Sequence, residues 1–149
     1  MQNISFIGIG LMGFPMAKNL LKSGFNLRAY NRSQDKADRL KEFGAEISTS
    51  IKDVVTNSDV IITMLTDDAA VEKVMGSDEF ISNIKEGATV IDMSSVNPVI
   101  TKKYFKKAQN YVGVGMYVGL PHSPSIDFIL LMQNFWSYVR RHNFYKGKI

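Results

Sequence analysis

Short apolar runs alternate with segments whose apolar residues recur at helical spacing over the first 118 positions. Ile4-Ser5-Phe6-Ile7 reads as an apolar strand, and the run from Phe14 to Leu21 as the helix after it. Asn26 to Tyr30 reads as a second strand, entered through the turn Ser23-Gly24. Gln34 to Phe43 has the charged pattern of a surface helix, closed by Gly44 at the position where helices favour glycine. Ala45 to Ser48 is a short third strand, and Ser50-Ile51-Lys52-Asp53 has the Ser-x-x-acid form of a helix start. Val60 to Leu65 is continuously apolar and rich in β-branched residues, the pattern of a strand buried on both faces. Asp67 to Val74 predicts a helix and Ala88 to Met93 a fifth strand. Asn97-Pro98 then opens a helix running to about Gln109, with Asn as cap, and Val112 to Val118 is a candidate sixth strand. Strands alternating with helices predict an α/β domain built on a doubly wound, mostly parallel sheet. Ligands of such sheets bind at the strands' C-terminal ends.

The strongest candidate chemistry lies at the first of those ends. Gly8-Ile9-Gly10-Leu11-Met12-Gly13 is a Gly-x-Gly-x-x-Gly turn between a strand and a helix, the context in which the pattern signals dinucleotide binding. Gly8 allows the tight turn, Gly10 lets the backbone approach a pyrophosphate, and Gly13 permits close helix–strand packing. Free N–H groups at the helix start then face the phosphates. The turn predicts a Rossmann-type, NAD(P)-binding domain. Roughly 20 residues further on, an NAD site carries an acid for the ribose 2′-hydroxyl. Here the second strand ends in Tyr30-Asn31-Arg32-Ser33, with no acid before Asp35. A carboxylate repels a 2′-phosphate, whereas a guanidinium pairs with it. Asn31 and Ser33 add neutral donors, so the position points to NADP over NAD; an ordinary surface turn is the alternative for Arg32.

Composition narrows the partners. Apolar residues at 45% and charged residues at 21% are ordinary for a globular chain. The absence of cysteine fits a cytoplasmic or other reducing compartment. Met1-Gln2-Asn3 lacks the basic start of a signal peptide, and no run approaches the roughly 18 apolar residues of a membrane span. The net charge of +4 is concentrated beyond residue 118, where Arg140, Arg141, Lys146 and Lys148 face only Asp127. Residues 1–118 carry 14 basic against 13 acidic side chains, which argues against a nucleic-acid surface. Lys102, Lys103, Lys106 and Lys107 fall at helical spacing and read as a solvated helix face. No His/Asp cluster has metal-ligand spacing, and neither His122 nor His142 has an identifiable acid partner.

GIGLMGFPMAKNLLKSGF, YNRS, MLTDDAAVEKV and VIDMSSVNP, in this order, resemble the N-terminal domain of the β-hydroxyacid dehydrogenases. That family includes 3-hydroxyisobutyrate dehydrogenase and the succinic semialdehyde and glyoxylate reductases, and is related to the NADP-binding domain of 6-phosphogluconate dehydrogenase. The resemblance runs from residue 3 to about residue 118. It implies that the glycine turn holds the pyrophosphate, that Met64 and Leu65 line the cofactor site, and that Arg32 reads the NADP phosphate. Ser95 fills the Ser/Thr position beside the nicotinamide ribose or the substrate, although serine is also a common turn residue at such junctions. The implied reaction is hydride transfer between NADP(H) and a small hydroxyacid, or the matching aldehyde or keto acid, with a Lys as general acid/base.

The pattern fades near residue 119. Where the family carries Asp-Ala-Pro-Val-Ser-Gly-Gly, this chain reads Val118-Gly119-Leu120-Pro121-His122-Ser123-Pro124-Ser125. Ser123 aligns with the family's substrate-binding Ser, but Pro124 fixes φ and removes an N–H where a glycine is expected. The family's catalytic Lys lies on a later helical domain, and no Lys here matches it, so no catalytic residue is assigned. Residues 119–149 read as a divergent tail whose apolar run, Phe128 to Met132 and Phe135-Trp136, offers a helix or a surface for pairing with a second copy. The expectation is a cofactor-binding domain of a β-hydroxyacid dehydrogenase-type oxidoreductase that is catalytically incomplete by itself. The alternatives are a non-catalytic NADP-binding or interaction module and a non-functional truncated product.

Overall fold

The computed structural model describes residues 3–97 and, beyond them, 99, 100, 102–104, 106, 107, 116 and 117. Its strands are β1 (Asn3–Ile7), β2 (Asn26–Tyr30), β3 (Glu46–Ile47), β4 (Val60–Thr63), β5 (Thr89–Asp92) and β6 (Met116–Tyr117). They form one sheet in the order β3-β2-β1-β4-β5-β6, with every pair parallel. Phe6 lies in register with Ala29 on one side and Ile62 on the other. The chain crosses from one half of the sheet to the other between β1 and β4, so a crevice opens at their C-terminal ends.

The two-residue period of the strands divides the interior into two layers. Ile4, Phe6, Leu27, Ala29, Val60 and Ile62 turn to one face and pack against Met16, Ala17 and Leu20 of helix α1 (Gly13–Lys22). Ile7, Ile61 and Val90 turn to the other, beneath α3 (Ile51–Val55), α4 (Asp68–Met75) and α5 (Asp78–Ile81). All four residues of β4 are buried, as its unbroken apolar run requires of a central strand. Ser5 is the polar exception in β1; its hydroxyl bonds the Val54 carbonyl and the Ser58 hydroxyl.

Three local departures from the sequence reading have physical causes. The helix expected over Gln34–Phe43 divides into α2 (Gln34–Asp38) and a 3-10 turn at Lys41–Phe43. Ala37 and Leu40 are buried and Phe43 packs on the same cluster, a strict three-residue spacing that 3-10 winding, with its eclipsed i and i+3 side chains, suits at the Leu40–Phe43 end. Helix α5 had no place in the sequence reading. It is one short turn, capped by Ser77 accepting from the Phe80 N–H at 3.1 Å, and held by burial of Phe80 and Ile81. Strands β3 to β5 are each shorter than the apolar runs that announced them.

Other signals translate directly. Ser50 caps α3 by accepting from the Asp53 N–H at 3.0 Å, and Asp67 caps α4 by accepting from the Ala70 N–H at 2.8 Å. Asn97 accepts from the Val99 N–H at 3.0 Å, and residues 99, 100, 102–104, 106 and 107 are helical. Lys102, Lys103, Lys106 and Lys107 are all exposed on it. The tail reading over 119–149, with Ser123 and both histidines, lies outside the described residues.

Candidate functional site

The crevice between β1 and β4 is where the glycine turn sits. Gly8 follows β1 at φ +102°, and a Cβ there would lie 2.1 Å from the Met64 carbonyl oxygen. A Cβ on Gly13 would lie 1.9 Å from the Gly8 carbonyl oxygen. Both glycines are therefore required by the protein's own backbone. Gly10 differs: a Cβ there would meet nothing within 4 Å, so its missing side chain leaves open space on the crevice side of the turn. The Phe14 N–H donates to the Gly10 carbonyl at 3.0 Å, which starts α1 against the turn. Among the described residues, the N–H groups of Gly10, Leu11 and Met12 have no hydrogen-bond acceptor. Unpaired amides at a helix N-terminus, over an open cradle, suit an anionic ligand. The turn fits a dinucleotide pyrophosphate.

Neighbouring strand ends fix the turn. The Gly8 N–H donates to the Tyr30 carbonyl at 3.0 Å, and the Met64 N–H donates to the Ile7 carbonyl at 2.9 Å. Asn31 is tied on both sides: its Oδ1 accepts from the Ile9 N–H at 2.9 Å, and its Nδ2 donates to the Ser33 carbonyl at 2.9 Å. Its amide thus serves the protein's own backbone.

An open cleft of about 240 Å³ runs from the turn toward the end of β2. Gly8, Gly10, Asn31, Arg32, Ser33, Met64 and Leu65 all line it, so most of the expected site residues converge. Its apolar wall comes from Ile51, Ala70 and Val74 as well as Leu65. Arg32, Lys36 and Lys73 stand along it, and none forms an ion pair with the described residues. Lys36 and Lys73 were missed from sequence, because nothing in their local pattern separates them from surface lysines.

Asp67, the cap of α4, is a counterweight to this positive edge. Its carboxyl is held below the ordinary carboxylate value, chiefly by the Ala70 N–H and then by the Thr66 hydroxyl, with a smaller contribution from Arg32. Leu11 is 97% exposed at the apex of the turn, and Ser95 is exposed just past β5. Ser94, its neighbour, is fully buried and accepts from the Leu65 N–H at 2.9 Å. Ser94 in turn donates its own N–H to Asp92 Oδ1 at 3.0 Å, which also accepts from the Thr63 hydroxyl at 2.9 Å. This buried chain holds the cleft's β4 wall. Sequence reasoning picked the exposed serine of the pair and had no signal for the buried one's role.

Against known proteins, residues 3–121 match the family model described as the NAD binding domain of 6-phosphogluconate dehydrogenase. The chain belongs to this family. This NAD-binding domain is 36% identical over 134 residues to 3-hydroxyisobutyrate dehydrogenase, mitochondrial, of Rattus norvegicus, covering 85% of this chain and 40% of that one. It is 36% identical over 110 residues to the NAD-dependent L-serine dehydrogenase of Pseudomonas aeruginosa, covering 73% of this chain and 37% of that one. Its fold is that of the Mycobacterium tuberculosis 3-hydroxyisobutyrate dehydrogenase structure, with a TM-score of 0.76 at 23% identity, over 83% of this chain and 42% of that one. The NAD-binding domain therefore spans well under half the length of these relatives. The expected family and α/β fold are thereby both established. Among the described residues, no helix is long and apolar enough to cross a membrane.

Proposed function

We propose that this domain takes NADP(H) in preference to NAD(H), and that it serves an oxidoreductase of the β-hydroxyacid dehydrogenase type. The observation that carries the reading is the cluster of Arg32, Lys36 and Lys73 on one cleft, without ion-pair partners among the described residues. Arg32 stands just past the end of β2, where a cofactor without the extra phosphate calls for a carboxylate, and Lys36 of α2 and Lys73 of α4 line the same cleft. A unit charge pair 4 Å apart is worth about 1 kcal/mol in bulk water and about 4 kcal/mol at the reduced dielectric of a protein surface. A cation brought that close favours a 2′-phosphate over a 2′-hydroxyl, and three cations line this cleft.

The remaining roles follow from position. The amides of Gly10, Leu11 and Met12 hold the pyrophosphate, Gly13 brings α1 close behind it, and the cleft wall of Met64, Leu65, Ala70 and Val74 covers the adenosine half. Ser33 offers a hydroxyl beside Arg32. Leu11 lies against the cofactor, and the Ser95 hydroxyl contacts the nicotinamide ribose or the substrate. A bound nicotinamide supplies the hydride donor or acceptor; these residues bind and orient it. Ser123 is the remaining candidate for a substrate contact.

Titration of the 149-residue chain with NADPH and NADH tests the reading. NADPH is expected to bind at least tenfold more tightly, equivalent to about 1.4 kcal/mol. Equal affinities, or tighter NADH, would refute the cofactor assignment, and binding of neither would refute the site. Binding is expected to exceed turnover: rapid conversion of 3-hydroxyisobutyrate, succinic semialdehyde or glyoxylate by this chain would overturn that part.

A further inference from the structure

Asn31 stands one residue beyond β2, between the two halves of the cleft. Its side chain reaches back to the Ile9 N–H and forward to the Ser33 carbonyl, both at 2.9 Å. Ile9 is the residue between Gly8 and Gly10; Ser33 follows Arg32. One planar amide therefore joins the turn proposed to hold pyrophosphate to the loop proposed to read the 2′-phosphate. Only one amide orientation serves, because the reverse would oppose N–H to N–H and oxygen to oxygen. Aspartate could accept from Ile9 but would set a second oxygen against the Ser33 carbonyl. The adjacent bond from the Gly8 N–H to the Tyr30 carbonyl makes the junction a three-bond zip.

The geometry points to Asn31 as a positioning residue that couples cofactor choice to the glycine turn. This rests on the reading of Arg32 given above. Arg32 is exposed and has no ion-pair partner in contact among the described residues, so Asp67 attracts its guanidinium only at longer range and does not fix its place. The backbone beneath it is fixed from the turn by the Asn31 amide. A charge discriminates between ligands only as far as it is held where the distinguishing group will sit. Without the amide, Arg32 remains present but discriminates poorly, and the loss appears in the ratio of NADPH to NADH affinity rather than in folding.

A double-mutant cycle on the full chain tests this. The parent, Asn31→Ala, Arg32→Ala and the double variant are titrated with NADPH and NADH, with thermal melts to show that each is folded. In the parent background Arg32→Ala is expected to cut the NADPH:NADH preference about 10- to 100-fold. In the Asn31→Ala background the same change is expected to cut it less than about threefold, because little discrimination remains to be lost. Should Asn31→Ala not fold, the cycle is run with Asn31→Ser, whose shorter side chain cannot span both partners. Equal factors in the two backgrounds, after a clear effect of Arg32→Ala in the parent, overturn the coupling while leaving the cofactor assignment intact. An Arg32→Ala variant with the parent's preference overturns that assignment and the coupling with it.

Discussion

Alanine at the three glycines of the turn should separate the demands of the fold from those of the ligand. At Gly13 the new Cβ would sit 1.9 Å from the Gly8 carbonyl oxygen and 3.2 Å from the Phe6 ring. Ordinary contact requires that oxygen to retreat by roughly 1.5 Å. It cannot do so freely, since Gly8 is bonded to Tyr30 and pressed against the Met64 carbonyl. Overpacking of this kind costs about 1–3 kcal/mol, which outweighs the fraction of a kilocalorie gained from alanine's helix propensity at a first helical residue. Gly8→Ala meets a backbone oxygen at 2.1 Å and adds the strain of a side chain at φ +102°. Gly10→Ala has open space and no left-handed backbone, so its stability should stay within about 0.5 kcal/mol of the parent or rise slightly. Its methyl group, however, fills the cradle. In urea melts Gly13→Ala should lower the midpoint by about 1 M, for a slope near 2 kcal/mol/M, while Gly10→Ala melts with the parent. In NADPH titration the order reverses for the folded proteins, with Gly10→Ala losing at least tenfold in affinity, or about 1.4 kcal/mol. A Gly13→Ala protein as stable as the parent, or a Gly10→Ala protein that binds NADPH unchanged, would refute the division.

Ser94→Ala removes the buried acceptor of the part-buried Leu65 N–H and should cost about 1–2 kcal/mol, read by denaturant melting, with weaker NADPH binding as the β4 wall loosens. Asp59 accepts from Lys85 at 2.6 Å and from the Asn3 N–H at 2.9 Å, and these bonds, Lys85 first, hold its carboxyl below the ordinary value. A depressed folded-state value means its stabilisation is present above the unfolded carboxylate range and is lost as pH falls through the folded one. Asp59→Asn should therefore be less stable by up to about 1 kcal/mol at pH 7, with the gap closing on acidification below pH 4; a constant gap would show another cause. Ser50→Ala should cost about 1 kcal/mol by removing the cap of α3, without altering cofactor affinity.

The sequence carried most of the architecture because the strands are central and parallel. Val60 to Thr63 is buried on both faces, so its run is apolar and β-branched up to Thr63, whose hydroxyl is bonded to Asp92, and the strand is visible without partners. The glycine turn was legible for a related reason: two of its glycines answer to backbone contacts that recur wherever strand, turn and helix pack this closely. Residues whose local pattern is ambiguous were not legible. Helix α5 is too short for periodicity to show, and the winding at Lys41–Phe43 is decided by where Leu40 and Phe43 meet the core. In the pair Ser94-Ser95, one hydroxyl is buried against Leu65 and the other exposed, a difference that depends on β4 standing beside β5.

The same distinction explains how cofactor choice can vary within one fold. Residues that hold the turn together are buried or bonded to backbone: Gly8, Gly13, Ser94 and Asp92. Those proposed to choose the ligand, Arg32, Ser33 and Lys36, are exposed. Substitution at an exposed position away from caps and networks usually changes stability by no more than about 0.5 kcal/mol. The ligand-reading loop can thus change its charge at little cost to the fold, consistent with a 36%-identical relative named for NAD. Asn31 is the exception. It is half-buried, belongs to both sets through its two bonds, and so is the position where a change of cofactor would disturb the turn itself.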